Sequence, residues 1–386
     1  MDPVTFIDEL NATTLKRIHP AKVRDFYFRN SALLARIRAN GGIVPWQGGL
    51  YEQNPFAYAP LIGGPYAQGT TFNTAKVETT SGNLFYPREY YVNITEFLRD
   101  LYVVNKGPAA VISRVGLDNK IAINTLNEIV AIAGWRHGQS NSGGNPADNR
   151  TTHMNGLSEA INDGVSPSWD GNVFPAYGGV NRLATGPFSS GDSVLRSVPR
   201  WCGDSSGNPG KLTYLQMMLG YQECSLGGQE PDLGIANKGV FAHILNSIQP
   251  QQRIMQNTVD YIWGVSGVSF MKAVIVKDDY CPSAAFGKSK PTGDYTTSAF
   301  TTPSSGIDAN SGLPSNTSVT PAGTFWWLNT KTIRATMPDG LYGMGFTGFQ
   351  RPYNADVIAG QILLSYTMMC DDPRLNKQYY GITESY

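Results

Sequence analysis

Apolar positions along this chain recur at two spacings, and the switch between them marks its elements. From Asn105 to His137 the residues Val111, Val115, Leu117, Ile121, Leu126, Ile129, Val130 and Trp135 return at helical spacing and form one broad apolar face. Pro108 suits an opening turn. Gly116 costs roughly 1 kcal/mol of propensity relative to Ala, which packing can outweigh. A helix of roughly thirty residues is about 45 Å long, the dimension of a structural strut, and Gly134 and Gly138 predict fraying near its end.

The segment just before it, 69–94, reads GTTFNTAKVETTSGNLFYPREYYVNI and alternates with a period of two. Gly82 and Asn83 punctuate two β-favouring runs, which predicts a hairpin turning there. Its apolar cargo is small: Phe72 and Val77 before the turn, Leu84 and Phe85 after it. A two-stranded hairpin is marginal in water, so this ribbon needs a surface to lie on. Another subunit can supply one, which points toward assembly.

Elsewhere the pattern is plainer. Residues 13–40 hold one or two amphipathic helices, with Phe26, Leu33, Leu34 and Ile37 as the stripe and Asn40-Gly41-Gly42 as the stop. Residues 41–68 are turn-rich with little period, and 139–210 read as a turn series containing only GLSEAI and VFPAYGGV as apolar elements. KLTYLQMMLGY (211–221) and VFAHILNSI (240–248) are helix candidates, and Val265–Val276 carries a strand pattern. A Ser/Thr/Gly/Pro stretch, 282–322, reads as a surface excursion. TFWWLNTKTIRATM and DVIAGQILLSYTMMC read as closing strands, and no internal repeat is visible.

Composition narrows the function classes. With 386 residues the chain can bury a substantial core, yet only 16% of it is charged, against roughly 25% in a typical domain. Thirty basic and thirty acidic residues cancel, so bulk charge offers no attraction to nucleic acid. Twenty tyrosines, 16 phenylalanines and seven tryptophans suit either large interfaces, which favour aromatics over charge, or a large aromatic core. The N-terminus, MDPVTFIDEL, lacks signal-peptide character, and no run approaches eighteen apolar residues. The expectation is a chain made and assembled inside a cell.

Catalytic signatures are sparse. Cys202, Cys224, Cys281 and Cys370 show no CxxC spacing and read as free buried thiols. His19, His137, His153 and His243 belong to no HExxH or HxH pattern; His153 reads as an exposed loop residue and His243 as part of a helix face. Gly343, Gly345 and Gly348 match a bare GxGxxG spacing, but FQRP follows and opens no helix, so they read as a turn. Asp278-Asp279 and Asp371-Asp372 read as surface turns rather than metal ligands. Glu78 and Glu89, one on each side of the expected turn, can meet basic groups on a neighbour. No catalytic, cofactor or metal residue is assigned, and the chain is expected not to be an enzyme.

The order of elements resembles the major capsid proteins of tailed bacteriophages, those with the HK97-type coat fold. The features that carry the resemblance are the N-terminal segment ahead of Gly69, the extended loop at 69–94, the long helix, the later mixed region, and the end, ADVIAGQILLSYTMMCDDPRLNKQYYGIT. The resemblance implies an α+β fold: an HK97-like capsid protein fold with an N-terminal arm, an extended β-hairpin loop (E-loop), a long spine helix, and peripheral and axial domains. It places the arm and its lead-in at 1–68, the extended loop at 69–94, the spine helix at 105–137, and interleaved peripheral and axial domains across 95–386.

By the same resemblance the function is mechanical: self-assembly through pentamers and hexamers into an icosahedral shell that encloses phage double-stranded DNA. Phe72, Lys76, Glu78, Phe85, Tyr86, Arg88 and Glu89 are the candidate intersubunit contacts, with packing in the subunit's own core the alternative for Phe85 and Tyr86. Arg17, Arg24 and Arg29, in the most basic region, are the candidate interior charges, against the alternative of a solvated helix face. The implied partners are further copies of the chain, a scaffolding protein, a portal, a decoration protein and non-specifically held DNA, with no membrane and no cofactor. The implied location is the virion capsid, assembled in the host cytoplasm. Some relatives crosslink a lysine of the extended loop to an asparagine; Lys76 lies in that element and Asn354 in a turn, with nothing in the sequence tying them together. A phage tail or surface-displayed adhesion protein is the alternative, though it predicts many short, evenly spaced strands. An enzyme is a third class, for which His153, Asp163, Asp170 and Asp204 supply no evident convergence.

Overall fold

One long strand organises the first half of the fold. In the computed structural model, which describes residues 31–46, 48–69, 71–99, 114–138, 153–169, 173–182, 194–203, 209–248, 267–282, 322–352 and 356–383, β14 runs from Val357 to Cys370. Its second half, LSYTMMC, is buried throughout, as an almost unbroken apolar run requires. Along one edge it pairs antiparallel with β4 (Arg88–Phe97), from Val357↔Phe97 to Tyr366↔Arg88. It also pairs antiparallel with β12 (Ile333–Met337) and β13 (Gly343–Phe346), and β1 (Ile43–Pro45) adds in parallel to β12.

Against this sheet lies α2 (Arg114–Trp135), in which Leu126, Ile129, Val130 and Trp135 of the apolar face read in the sequence are buried, whereas Ile121 of that face is exposed. Its 22 residues give a length of roughly 33 Å. Positions 105–113 of the expected helix lie outside the described residues. The helix α1 (Ala32–Ala39) buries Leu33, Leu34 and Ile37, is capped by Ser31, and stops where Gly41 takes φ +68°.

A second, six-stranded sheet follows the order β7-β15-β11-β8-β10-β9. These strands are β7 (Arg200–Trp201), β8 (Leu233–Ala236), β9 (Gly267–Phe270), β10 (Ala273–Lys277), β11 (Ala322–Leu328) and β15 (Lys377–Thr383). The helices α4 (Tyr214–Glu223) and α5 (Lys238–Ile248) belong with it, sharing an apolar core of Met217, Tyr221, Val240, Ile244, Phe325 and Trp327. Between the two sheets the chain is mostly irregular, apart from α3 (Leu157–Ala160) and the two-residue strands β5 (Ala176–Tyr177) and β6 (Val180–Asn181). Fully buried Arg182 holds this region together: it donates to the carbonyls of Glu159 at 2.6 Å, Ala160 at 3.3 Å, and Asn162.

Three expectations change. The hairpin does not turn at Gly82-Asn83: both lie inside β3 (Thr80–Phe85), which pairs with β2 (Glu52–Ala57) in the register Pro55↔Gly82 and Asn54↔Asn83. Part of the supposedly period-free 41–68 segment is therefore strand, its signal weakened by Pro55 within β2. The strand pattern at Val265–Val276 is two strands, β9 and β10, joined at Met271-Lys272, where Met271 takes φ +53°. Neither acidic pair is a bare surface turn. Asp278 is buried beneath α1, accepting from Leu33 N at 3.1 Å, Ser31 Oγ at 3.2 Å and Tyr280 N at 2.8 Å. Asp371 pairs with Arg334 at 2.7 Å, and Asp372 caps a short 3-10 turn.

Candidate assembly surface

The ribbon formed by β2 and β3 is firm at one end and unsupported at the other. At its base Phe85 is wholly buried, with its ring edge-on to Tyr177 at 5.1 Å. Leu84 N donates to Gly178 O at 2.9 Å; Gly178 holds φ +55°, and a Cβ there would stand 2.7 Å from that of Asn83. Asn54 accepts from Arg334 Nη2 at 3.3 Å.

Past the last ladder pair, Ala57↔Thr80, Tyr58 N still bonds Thr79 O at 2.9 Å. Beyond that, residues 60–69 and 71–76 are exposed throughout. They nevertheless carry Leu61, Ile62, Tyr66 and Phe72, the last two packed edge-on against each other at 5.2 Å. Phe72 is 66% exposed and Leu61 77%. These are large apolar side chains standing in solvent on one loop. At the foot of the ribbon Tyr51 and Tyr86 meet edge-on at 6.1 Å, and the Arg88 guanidinium carbon lies 5.9 Å above the Tyr86 ring.

The named contact candidates are thus dispersed. Phe72, Lys76 and Glu78 are exposed on the loop leading into β3, Tyr86 is exposed just after it, and Glu89 is exposed on β4 beside half-buried Arg88. Phe85 is the correction: its place is the subunit's own core, because the pleat turns it inward with Asn83. Arg17, Arg24, Arg29 and Asn354 lie outside the described residues.

Further exposed apolar side chains went unread in the sequence: Tyr214, Leu215 and Leu219 on α4, Leu226 in the following turn, Leu245 on α5 and Met271 in the β9–β10 turn. The available signal was that YLQMMLGY is apolar around much of its circumference, since Met217 and Tyr221 face inward while Leu215 and Leu219 face outward.

The reactive side chains are placed for structure. Among the described residues no three His, Cys, Asp or Glu side chains gather as a metal site. The four cysteines are free, and burial pushes the Cys202 and Cys224 thiols up to about 12 and Cys370 higher still, which keeps them protonated. Burial also lowers His243, on α5. His153 is half-buried, not an exposed loop residue, and its ring lies 6.2 Å from Tyr90. Gly343 and Gly345 lie in β13, paired with β14, and the next element among the described residues is β14 itself.

No protein-family model matches the sequence, and no curated protein matches it. Solved structures do. The capsid subunit of cyanophage A-1(L) is similar with a TM-score of 0.60 and 13% identity, covering 96% of this chain and 97% of that one. The capsid protein of the native GTA particle is similar at 0.55 and 9%, covering 96% of each chain. The SrpI encapsulin of Synechococcus elongatus is similar at 0.53 and 7%, covering 98% of this chain and 96% of that one. At these identities the likeness establishes the fold: this chain has the α+β architecture shared by those shell subunits, from end to end.

Proposed function

We propose that this chain is the coat subunit of an icosahedral shell, built from pentamers and hexamers of identical copies and enclosing double-stranded DNA in the manner of a tailed phage. The observation that carries the reading is the end-to-end likeness to the cyanophage capsid subunit, 96% of one chain against 97% of the other. The projecting ribbon supports it, since Leu61, Ile62, Tyr66 and Phe72 stand exposed on it among the described residues. A ribbon reaching over a neighbour makes a heterologous contact, and such contacts close into rings. On this reading 52–85 is the extended loop, longer at its start than the 69–94 expected, and α2 is the spine helix.

Lys76 and Glu78 serve as polar contacts on the loop, Tyr86, Arg88 and Glu89 as contacts at the foot of the ribbon, and Arg17, Arg24 and Arg29 face the packaged DNA. Scaffolding, portal and decoration proteins are the expected partners. A second reading, a shell that holds protein cargo, is favoured by the equally complete likeness to the encapsulin subunit. Negative-stain electron microscopy of the purified protein, expressed alone and with its neighbouring reading frames, tests both. Closed shells or flat rings support a coat subunit, and nuclease-protected DNA inside them selects the phage reading over the cargo one. Uniform monomers under both conditions overturn it.

A further inference from the structure

Residues 58–79 join the two strands of the ribbon, too long a connection for a tight turn to set their register. A slide of two residues keeps every side chain on its own face, so alternation does not set it either. Each strand is instead indexed separately to the place where β14 ends, at the neighbouring residues Cys370 and Asp371. For β3 the link is Phe85, whose ring lies edge-on to Tyr177 at 5.1 Å, and the Tyr177 hydroxyl accepts from Cys370 N at 2.8 Å. The bond from Leu84 N to Gly178 O reinforces it. For β2 the link is Arg334, whose Nη2 donates to Asn54 Oδ1 at 3.3 Å and to Asp371 Oδ1 at 2.7 Å.

Arg334 discriminates between the residues that β2 can offer it. Its Nη2 carries two protons, and Asp371 and Asn54 take one each. Glu52, Asn54 and Phe56 share one face of β2, so a slide of two residues in either direction brings Glu52 or Phe56 to this place. Glu52 would crowd a second carboxylate beside that of Asp371, and Phe56 would take away one acceptor of the guanidinium. Asn54 is buried, and fixing register is the best-attested use of a buried polar contact.

We propose that Arg334 sets the register of the ribbon, holding Asn54 level with Asn83 while Phe85 holds β3. The consequence falls on the exposed loop beyond the ladder. A slide of two residues shifts the two roots of that loop by roughly 7 Å against each other. It thereby re-aims Leu61, Ile62, Tyr66 and Phe72. Register belongs to the single chain, so a failure of copies to close into shells leaves this assignment untouched.

Disulfide trapping in the full-length protein tests it. Ala57 and Thr80 are register partners and both are exposed, so Ala57→Cys with Thr80→Cys reports the native register. Ala57→Cys with Glu78→Cys, and Ala59→Cys with Thr80→Cys, report slides of two residues in the two directions. With Arg334 in place the native pair oxidises and the slid pairs stay reduced. Arg334→Met raises trapping of a slid pair about tenfold, the worth of a hydrogen bond to a charged group. Slid pairs as rare in Arg334→Met as in the wild type overturn the proposal. Asn54→Ala removes only the acceptor, keeps the Arg334–Asp371 pair, and gives the same reading if Arg334→Met does not fold. A Gly-Ser insertion between Gly63 and Gly64 leaves the native pair trapped as before; a change of register there assigns the register to the loop and also overturns the proposal.

Discussion

Trp135, in the last turn of α2, lies with its ring 5.3 Å from that of Trp326 in β11, and both side chains are wholly buried. The long helix belongs to the first sheet and β11 to the second, so this pair joins the two halves of the molecule. Trp326 Nε1 also donates to Thr324 Oγ1 at 3.1 Å, which orients the ring. Trp135→Ala removes one of the two tryptophans at that junction and costs about 3–5 kcal/mol. Chemical denaturation of the unassembled subunit measures it. Loss of the contact is expected to split unfolding into two transitions if each half retains a core of its own.

Burial separates the two phenylalanines of the ribbon. Phe72→Ser leaves the melting temperature of the unassembled subunit within about 2 °C of wild type, because a surface change is worth roughly ±0.5 kcal/mol. It lowers the yield of assembled particles. Phe85→Ala does the reverse first, destabilising the subunit by about 3–5 kcal/mol before assembly can be scored. Thermal melting and sedimentation of the same preparations distinguish the two.

Asp278 sets a pH dependence whose sign follows from its burial. Its carboxyl is raised from 3.8 to about 6, chiefly by desolvation, although amides of α1 and Tyr280 bond to it. The folded chain therefore holds this proton more firmly than the unfolded chain between about pH 4 and 6. The contribution is full below that window and is lost as pH rises through it, by up to about 3 kcal/mol. Denaturation midpoints at intervals from pH 4 to 7 are expected to fall less steeply in Asp278→Asn than in wild type. Parallel profiles would assign the slope to other groups.

Arg182 and Glu159 form the buried polar centre of the irregular middle region. Glu159 accepts from Gly138 N at 3.2 Å and Asn155 Nδ2 at 2.6 Å, and its carboxyl is raised by burial despite the neighbouring Arg182. Arg182→Met leaves three carbonyls and that carboxylate without the guanidinium, at a cost of about 3–5 kcal/mol. Limited proteolysis should then cut first within 153–182.

The long helix, α1, α4, α5 and the closing strand β14 were legible because each repeats its own period over enough residues to identify itself. Leu126, Ile129 and Val130 could be assigned to a buried face without coordinates. The ribbon could not be paired correctly. Gly82 and Asn83 have the chemistry of a turn, but Asn83 is enclosed by Gly178 and Asn54, and β3 finds its partner 23 to 33 residues earlier, across a long exposed loop. Pairing between distant strands is decided by which faces can be buried together, and local letters carry little of that information. The same holds for Phe85, buried by Tyr177, and for Asp278, buried by the end of α1. Local periodicity determined which elements exist; only tertiary packing, which sets burial and so the cost of every polar group, decided what each of them faces.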